Sequence, residues 1–220
     1  MPFGFLRRNK GGDKAPSAPQ ESAPPGRHGG PPRGVPFTAL TEEWRLSGRM
    51  EISGRLSDAL NKREAIAIHD VKWGPPDGSA PLEPAPGLRS VDPYDLILVT
   101  AGEESLPPLT ETERVALKVH KISYDVALEA PPFRVIGTVY LHPGSDPERL
   151  MERSTEMFVP VVDAIARLGD VEVSDPETEA ILVNRFYLRG VEQVDKRTGE
   201  RHQKLPGQPL GGVSWQERSR

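Results

Sequence analysis

Apolar and polar residues alternate in short runs along most of this chain, which predicts strands rather than long helices. Trp44, Leu46, Met50 and Ile52 alternate with Arg45, Ser47, Arg49 and Glu51, the period of two that a half-buried strand requires. Gly48 falls on the apolar phase, where a missing side chain permits a bulge, a sharp bend or close approach of another backbone. The run Arg55-Leu56-Ser57-Asp58-Ala59-Leu60-Asn61 predicts one helical turn, with Ser57 or Asp58 as its cap and Leu60 pinning it to the core. A second strand is expected from Ile66 to Trp73. Gly74 to Leu88, with five Pro and three Gly, reads as a loop.

Tyr94 to Thr100 is a nearly continuous apolar run, the pattern of a strand covered on both faces. Val115, Leu117 and Val119 share one alternation phase, whereas Ile122, Tyr124, Val126 and Leu128 take the other. That change predicts a bulge near Lys121, and Pro131-Pro132 should end the strand. Phe133, Val135, Val139 and Leu141 open another alternating run with Gly137 inward. Ser145-Asp146-Pro147-Glu148 carries an acceptor, a Pro at the first helical position and a Glu three after Ser, a strong helix start that Leu150 and Met151 should hold down. Met157 to Ile165 is expected as a strand in which Pro160 favours an edge or a bulge. Ala180 to Val183 reads as extended, and Tyr187 to Val194 as a last strand broken by Gly190.

The chain repeats its own pattern. Arg45, Gly48, Met50 and Ile52 match Arg134, Gly137, Val139 and Leu141, each 89 residues on. Leu60 and Arg63 match Leu150 and Arg153 at 90, and Ile68 and Val71 match Val159 and Val162 at 91. Ile97-Leu98-Val99 matches Ile181-Leu182-Val183 at 84. Two related units follow, covering 37–130 and 131–194.

The second unit, with its Gly137 strand, Pro143-Gly144 turn, Phe158-Val159-Pro160-Val161-Val162-Asp163-Ala164 and Asn184, resembles a small bacterial family of unknown function. The turn from Arg55 to Asn61 is similar to that family's helical turn, although the first unit lacks the Pro-Val-x-Asp-Ala element. The resemblance implies a small β-rich domain of the kind met in regulatory proteins, and it carries over no activity and no catalytic residue.

Composition sets the ends apart. Residues 1–36 hold eight Pro and seven Gly and too few apolar residues to offset ordering entropy, so they read as a disordered arm. Residues 195–220 read as a disordered tail. The arm carries six Lys/Arg against two Asp/Glu and the tail six against three, leaving 16 basic and 27 acidic side chains between them. An acidic body repels a phosphate backbone, so nucleic-acid contact is expected through the tails only. With no cysteine there is no disulfide framework, thiolate metal site or cysteine nucleophile. The first ten residues lack the apolar run of a secretory signal, and no stretch approaches the roughly 20 apolar residues of a membrane span. A cytoplasmic protein is expected.

Chemistry is sparse in the sequence. His28, His69, His120, His142 and His202 are scattered without metal-ligand spacing, and the phosphate-binding and nucleophile-elbow motifs are missing. His69 and His120 read as surface or hydrogen-bonded strand residues, and His142 as an exposed turn residue. The pairs Glu103/Glu104 and Glu111/Glu113, with Asp175, Glu177 and Glu179, fall in loops where solvation accounts for them. No cofactor or metal is expected. Phe3, Phe5 and Leu6 beside Arg7 and Arg8 form a candidate docking cluster for a partner groove or an anionic membrane surface. Asp58, Asn61 and Arg63 are the candidate polar group of the recurring motif. Trp215, alone in the tail, is a candidate linear motif.

These patterns predict a soluble, β-rich α+β protein of two related sheet or half-barrel units with one short helix each, flanked by disordered tails. The expected function is a non-catalytic interaction or regulatory module with a protein partner or self-association through a strand edge. The alternatives are nucleic-acid association through the basic tails, membrane-surface docking through Phe3 to Arg8, and an enzyme with a loop-borne carboxylate site.

Overall fold

The alternation around Gly48 builds a hairpin of β1 (Val35–Leu40) and β2 (Arg45–Met50), with Leu40 opposite Arg45 and Phe37 opposite Gly48. The computed structural model describes residues 34–102, 105, 121–152, 156–175, 178–195, 197–198 and 200–201, all within the compact unit Pro32–Arg220. After β2 come the helix α1 (Leu56–Asn61), β3 (Ile66–Gly74), β4 (Glu83–Pro84), β5 (Ser90–Val91), a 3-10 turn Pro93–Asp95 and β6 (Leu98–Ala101). The second half runs β7 (Ile122–Ala130), β8 (Phe133–Leu141), a 3-10 turn Pro147–Met151, β9 (Phe158–Leu168), β10 (Val171–Glu172), β11 (Ala180–Asn184), a 3-10 turn Arg185–Tyr187 and β12 (Gly190–Gln193). The fold is β-rich, with little helix.

One antiparallel sheet takes all twelve strands, in the order β12-β7-β8-β9-β11-β6-β1-β2-β3-β4, with β10 on β9 and β5 on β3. Its middle is the pair β11–β6, where Leu182 lies opposite Val99 and Val183 opposite Leu98. Two apolar cores flank this pair. One gathers β7, β8, β9 and β11 with Leu40, Ile97 and Leu98. The other gathers β1, β2, β3, β6 and α1 with Met157, Phe158 and Leu182. Leu98 belongs to the first and Val99 to the second, so successive side chains of β6 enter different cores. That is why this run carries no polar alternation.

The two long hairpins share a detail of construction. In β7–β8, Glu129 lies opposite Arg134 and Val126 opposite Gly137, the register of β1–β2 displaced by 89 residues. The next pairing in each case slips by one residue at the glycine, between Ser47 and Arg49 on β3, and between Ile136 and Thr138 on β9. The bulged strands place Asp70 at φ 51° and Asp163 at φ 46°. Asp is among the few side chains that tolerate this left-handed conformation. A Cβ on Gly48 would stand 2.8 Å from the His69 carbonyl oxygen, and one on Gly137 2.9 Å from Ala164 Cα. Close backbone approach is thus what both glycines provide.

Several expectations need correction. Ser57 and Asp58 do not cap α1: Arg55 is the N-cap and no side chain caps it, so buried Leu56, Ala59 and Leu60 hold the helix by packing. The predicted helix at Ser145–Glu148 is a 3-10 turn capped by Asp146, whose carboxylate accepts from Glu148 N–H at 3.0 Å. Leu150 is buried there, but Met151 is 43% exposed. Pro131-Pro132 does end β7, at Ala130, and forms the turn into β8, since Ala130 pairs directly with Phe133. Pro160 sits in an interior strand, opposite Leu182 of β11. The last β8–β9 pair is Thr138 with Val162, so its missing N–H falls where β8 has already parted from β9. Ile97–Val99 and Ile181–Val183 are neighbours in the sheet rather than matching strands. The stretch expected as a tail past Asp195 starts with a turn, in which Asp195 N–H donates to Glu200 O at 2.9 Å and Val194 bridges Arg201. Glu192 pairs with Arg201 beside it, a contact that holds the Glu192 carboxyl below its usual range, chiefly by the hydrogen bond. The expected bulge at Lys121 depends on residues 115–119, which lie outside the described residues.

Candidate functional site

The richest polar cluster lies where β11 meets β6 and the turns that flank them. Asn184 ends the apolar run of β11, is fully buried, and caps the 3-10 turn that follows by accepting from Phe186 N–H at 3.0 Å. Its amide nitrogen donates to Leu96 O at 2.7 Å and Pro93 O at 3.3 Å, while its backbone N–H donates to Ile97 O at 2.9 Å. One side chain therefore locks the end of β11 to the turn that enters β6. Asp92 has the same role one strand earlier, accepting from Tyr94 N–H at 2.9 Å. Tyr94 and Phe186, each two residues past its cap, meet with ring centroids 5.5 Å apart. Tyr187 adds a hydrogen bond from its hydroxyl to Tyr94 O at 3.1 Å. Burial raises the Tyr187 pKa, helped by the negative charges of Asp95 and Glu42.

Two of the three predicted polar residues come to this place. Asn61, the last residue of α1, accepts from Met157 N–H and Phe158 N–H through Oδ1 at 2.7 and 2.8 Å. It satisfies the first donor of β9 and the one just before it, from 97 and 96 residues away. Arg63 adopts φ 61° and holds its guanidinium 5.8 Å from the Phe186 ring centroid, a cation–π contact. Asp58 stays out, exposed in the first turn of α1, with Ser57 Oγ 3.5 Å from its carboxylate. Arg185 is largely buried nearby, its Nη1 donating to Glu152 O at 3.3 Å and its Nη2 3.8 Å from Glu156 Oε2. Burial lowers its pKa, against the opposing pull of the two glutamates.

Sequence reasoning reached Asn61 and Arg63 through the repeat but missed Tyr94, Phe186 and Arg185. A usable signal was present. Asp92-Pro93-Tyr94 and Asn184-Arg185-Phe186 each put a short amide or acid two residues before an aromatic, the spacing of a side chain that closes on the backbone two residues on.

The Asn61 contact has a sharp test. Asn61→Ala removes the acceptor for two strand-entry donors and is expected to cost about 2 to 3 kcal/mol in chemical denaturation. Asn61→Asp keeps the acceptor and should retain most of that stability.

Away from the junction the described residues line two open hollows among others. A cleft of about 540 Å³ over β1, β2 and β6 is lined by Thr38, Ser47, Thr100 and Ser105 hydroxyls, with Asp175 and Glu179 at its rim. Thr100 and Ser105 donate to Thr38 O and Pro36 O, and both carboxylates are exposed. The other hollow, about 380 Å³, runs along β3 past His69, Asp70, Lys72, Pro84 and Arg89. His69 is paired with Glu51 at 2.7 Å, as expected of a strand histidine with a partner, and His142 is exposed in its turn. Among the described residues no group of three or more His, Asp or Glu is placed to hold a metal ion, and no helix is long and apolar enough to cross a membrane. The cluster Phe3, Phe5, Leu6, Arg7 and Arg8 lies outside the described residues. So do His28, His120, His202, Trp215 and the pairs at 103–104 and 111–113.

A second aromatic pair lies at the surface of the described residues. Trp44 and Trp73 stack at 4.8 Å with an interplanar angle of 19°, and each is 41% exposed. They continue the inward phase of β2 and β3 past the rim of the core.

No protein-family model, curated protein or solved structure matches this chain.

Proposed function

We propose that this chain is a cytoplasmic, non-catalytic interaction or regulatory module built by tandem duplication of one β-rich unit. The observation that carries the duplication is the pair of bulged hairpins, equal in register at 89 residues and equal in the placement of Gly48 with Asp70 and Gly137 with Asp163. The cap pair Asp92 and Asn184, 92 apart, extends it. On this reading the second unit opens with β7 rather than at residue 131, and the units correspond strand for strand: β1, β2, β3, β4, β5 and β6 with β7, β8, β9, β10, β11 and β12. The bulges set the offset of the third strand at 93 rather than the 91 of the sequence pattern, and β6 answers to β12, since each pairs with the first strand of its unit.

The interaction reading is supported by the exposed Trp44/Trp73 pair, a stack of apolar area at low entropy cost to a partner. The junction's polar groups, in contrast, are spent on structure: Asn184 uses both ends of its amide and Asn61 its carbonyl oxygen. A photo-cross-linking residue at Trp73, introduced in the source cells, is expected to give a discrete protein adduct that the same residue at Glu179 does not. Turnover of a metabolite mixture by the purified protein, lost in Asp175→Asn with Glu179→Gln and accompanied by no adduct at Trp73, would instead make the cleft an active site.

A further inference from the structure

The internal joint between β11 and β6 has an unused counterpart at the two ends of the sheet, and we propose that a second copy of this chain completes it, β5 of one molecule pairing with β12 of the next. The inference rests on the duplication reading, in which β5 corresponds to β11 and β12 to β6. The molecule already joins the edge of its second unit to the edge of its first this way, leaving, among the described residues, one edge of each kind unfilled.

The main-chain directions of the two free edges fit. Val194 N–H donates to Asp125 O at 3.0 Å, so by strand alternation Glu192 and Gly190 turn their amides toward β7 while Val191 and Gln193 turn theirs outward. The Val194–Arg201 bridge, one half of which is Asp195 N–H on Glu200 O, takes up the Gln193 carbonyl as its other half, which leaves Val191 and the Gln193 N–H. On the other edge Ile68 N–H donates to Arg89 O at 2.9 Å, so Arg89 and Val91 face β3 while Leu88 and Ser90 face outward. In the internal joint Asn184 N–H donates to Ile97 O, which makes Leu182 opposite Val99 and Ala180 opposite Ala101 the hydrogen-bonded pairs. Moving β11 back and β6 forward by 92 residues places Ser90 opposite Val191 and Leu88 opposite Gln193. Ser90 and Val191 face outward on both strands, whereas Leu88 N–H is already held by Ala85 O at 3.1 Å, so the second pair closes through Gln193 N–H onto Leu88 O alone.

Charge agrees with the same register. Between those two pairs Arg89 falls opposite Glu192, in a non-hydrogen-bonded position where side chains stand closest. Arg89 is exposed, and its guanidinium would join Arg201 on the Glu192 carboxylate. Because the paired strands differ, the contact is heterologous, and each added copy presents a fresh edge of each kind.

Sedimentation velocity on the full-length protein, over a dilution series, tests this. The expected result is a monomer that shifts to dimers and larger species as concentration rises. Ser90→Pro removes an N–H that faces away from β3, so it should abolish the larger species without lowering the melting temperature. Arg89→Glu should weaken association, and Glu192→Arg added to it should restore it. A protein that stays monomeric throughout, or one whose association is unmoved by Ser90→Pro, overturns the proposal; β12 is then covered by the chain's own C-terminal residues, or β5 by another protein. Hydrogen exchange separates the two levels: a protected Asn184 N–H in a strict monomer leaves the internal joint and the duplicated units standing, whereas a rapidly exchanging one removes both.

Discussion

Asn184→Asp is expected to destabilise the protein by about 3 to 5 kcal/mol at neutral pH, the range for a buried charge left without a partner. The site is fully buried, and the amide nitrogen that donates to Leu96 O and Pro93 O becomes a carboxylate oxygen facing two carbonyl oxygens. Only the acceptor side, toward Phe186 N–H, is preserved. The effect has a signed pH dependence. Burial and the facing carbonyls raise the folded-state pKa of the new carboxyl above its unfolded value, so the penalty is greatest at high pH. It shrinks as pH falls through the folded-state pKa, since a protonated carboxyl can donate to Leu96 O in place of the amide. Urea denaturation of wild type and variant between neutral and mildly acidic pH measures this. A variant as stable as wild type at neutral pH would mean that Asn184 is not the lock between β11 and the entry to β6.

Gly137→Val is expected to be comparably damaging, by about 3 kcal/mol, the upper end for overpacking a close-packed interior. Its first side-chain carbon would stand 2.7 Å from Val161 Cγ1, 2.8 Å from Ala164 Cβ and 2.9 Å from Ala164 Cα. A side-chain methyl can rotate away, but Ala164 Cα is backbone in the bulge that Asp163 shapes. Relief therefore requires β8 and β9 to separate. Gly87→Ala is the matched control, because a Cβ there meets nothing within 4 Å, and its melting temperature should stay within a degree or two. A Gly137→Val protein that melts like wild type would show that the bulge does not depend on close approach, and would weaken the parallel between the two hairpins.

The strands were legible wherever one face is buried and the other wet. β2, β3 and β8 announce themselves by alternation, and Gly48 and Gly137 by falling on the inward phase. The continuous run before Thr100 was legible as a doubly covered strand for the same reason. Local chemistry was less so. Ser57 and Asp58 have the residue types of a cap, yet α1 starts two or three residues earlier than they would require, with Leu56 and Leu60 buried against the core. Asp146 outcompeted Ser145 as the cap of its turn. The candidate group split: Asn61, at the end of α1, and Arg63, two residues past it, reach the junction, while Asp58 stays exposed in the first turn.

Sequence alone determined that this protein is β-rich, that its pattern of strand, glycine and short turn recurs near 89 residues, and that its cysteine-free, acidic body carries basic ends. Alternation and composition are local properties, and the chain displays them directly. The tertiary structure decided which strands are neighbours. Matching apolar runs such as Ile97–Val99 and Ile181–Val183 are equally suited to equivalence or to pairing, since both put apolar residues in the same order. Only the hydrogen-bond register, with Leu182 opposite Val99, chooses between them. The same holds for Asn61, whose place opposite the start of β9 depends on a contact spanning nearly 100 residues. No local pattern encodes a partner at that distance.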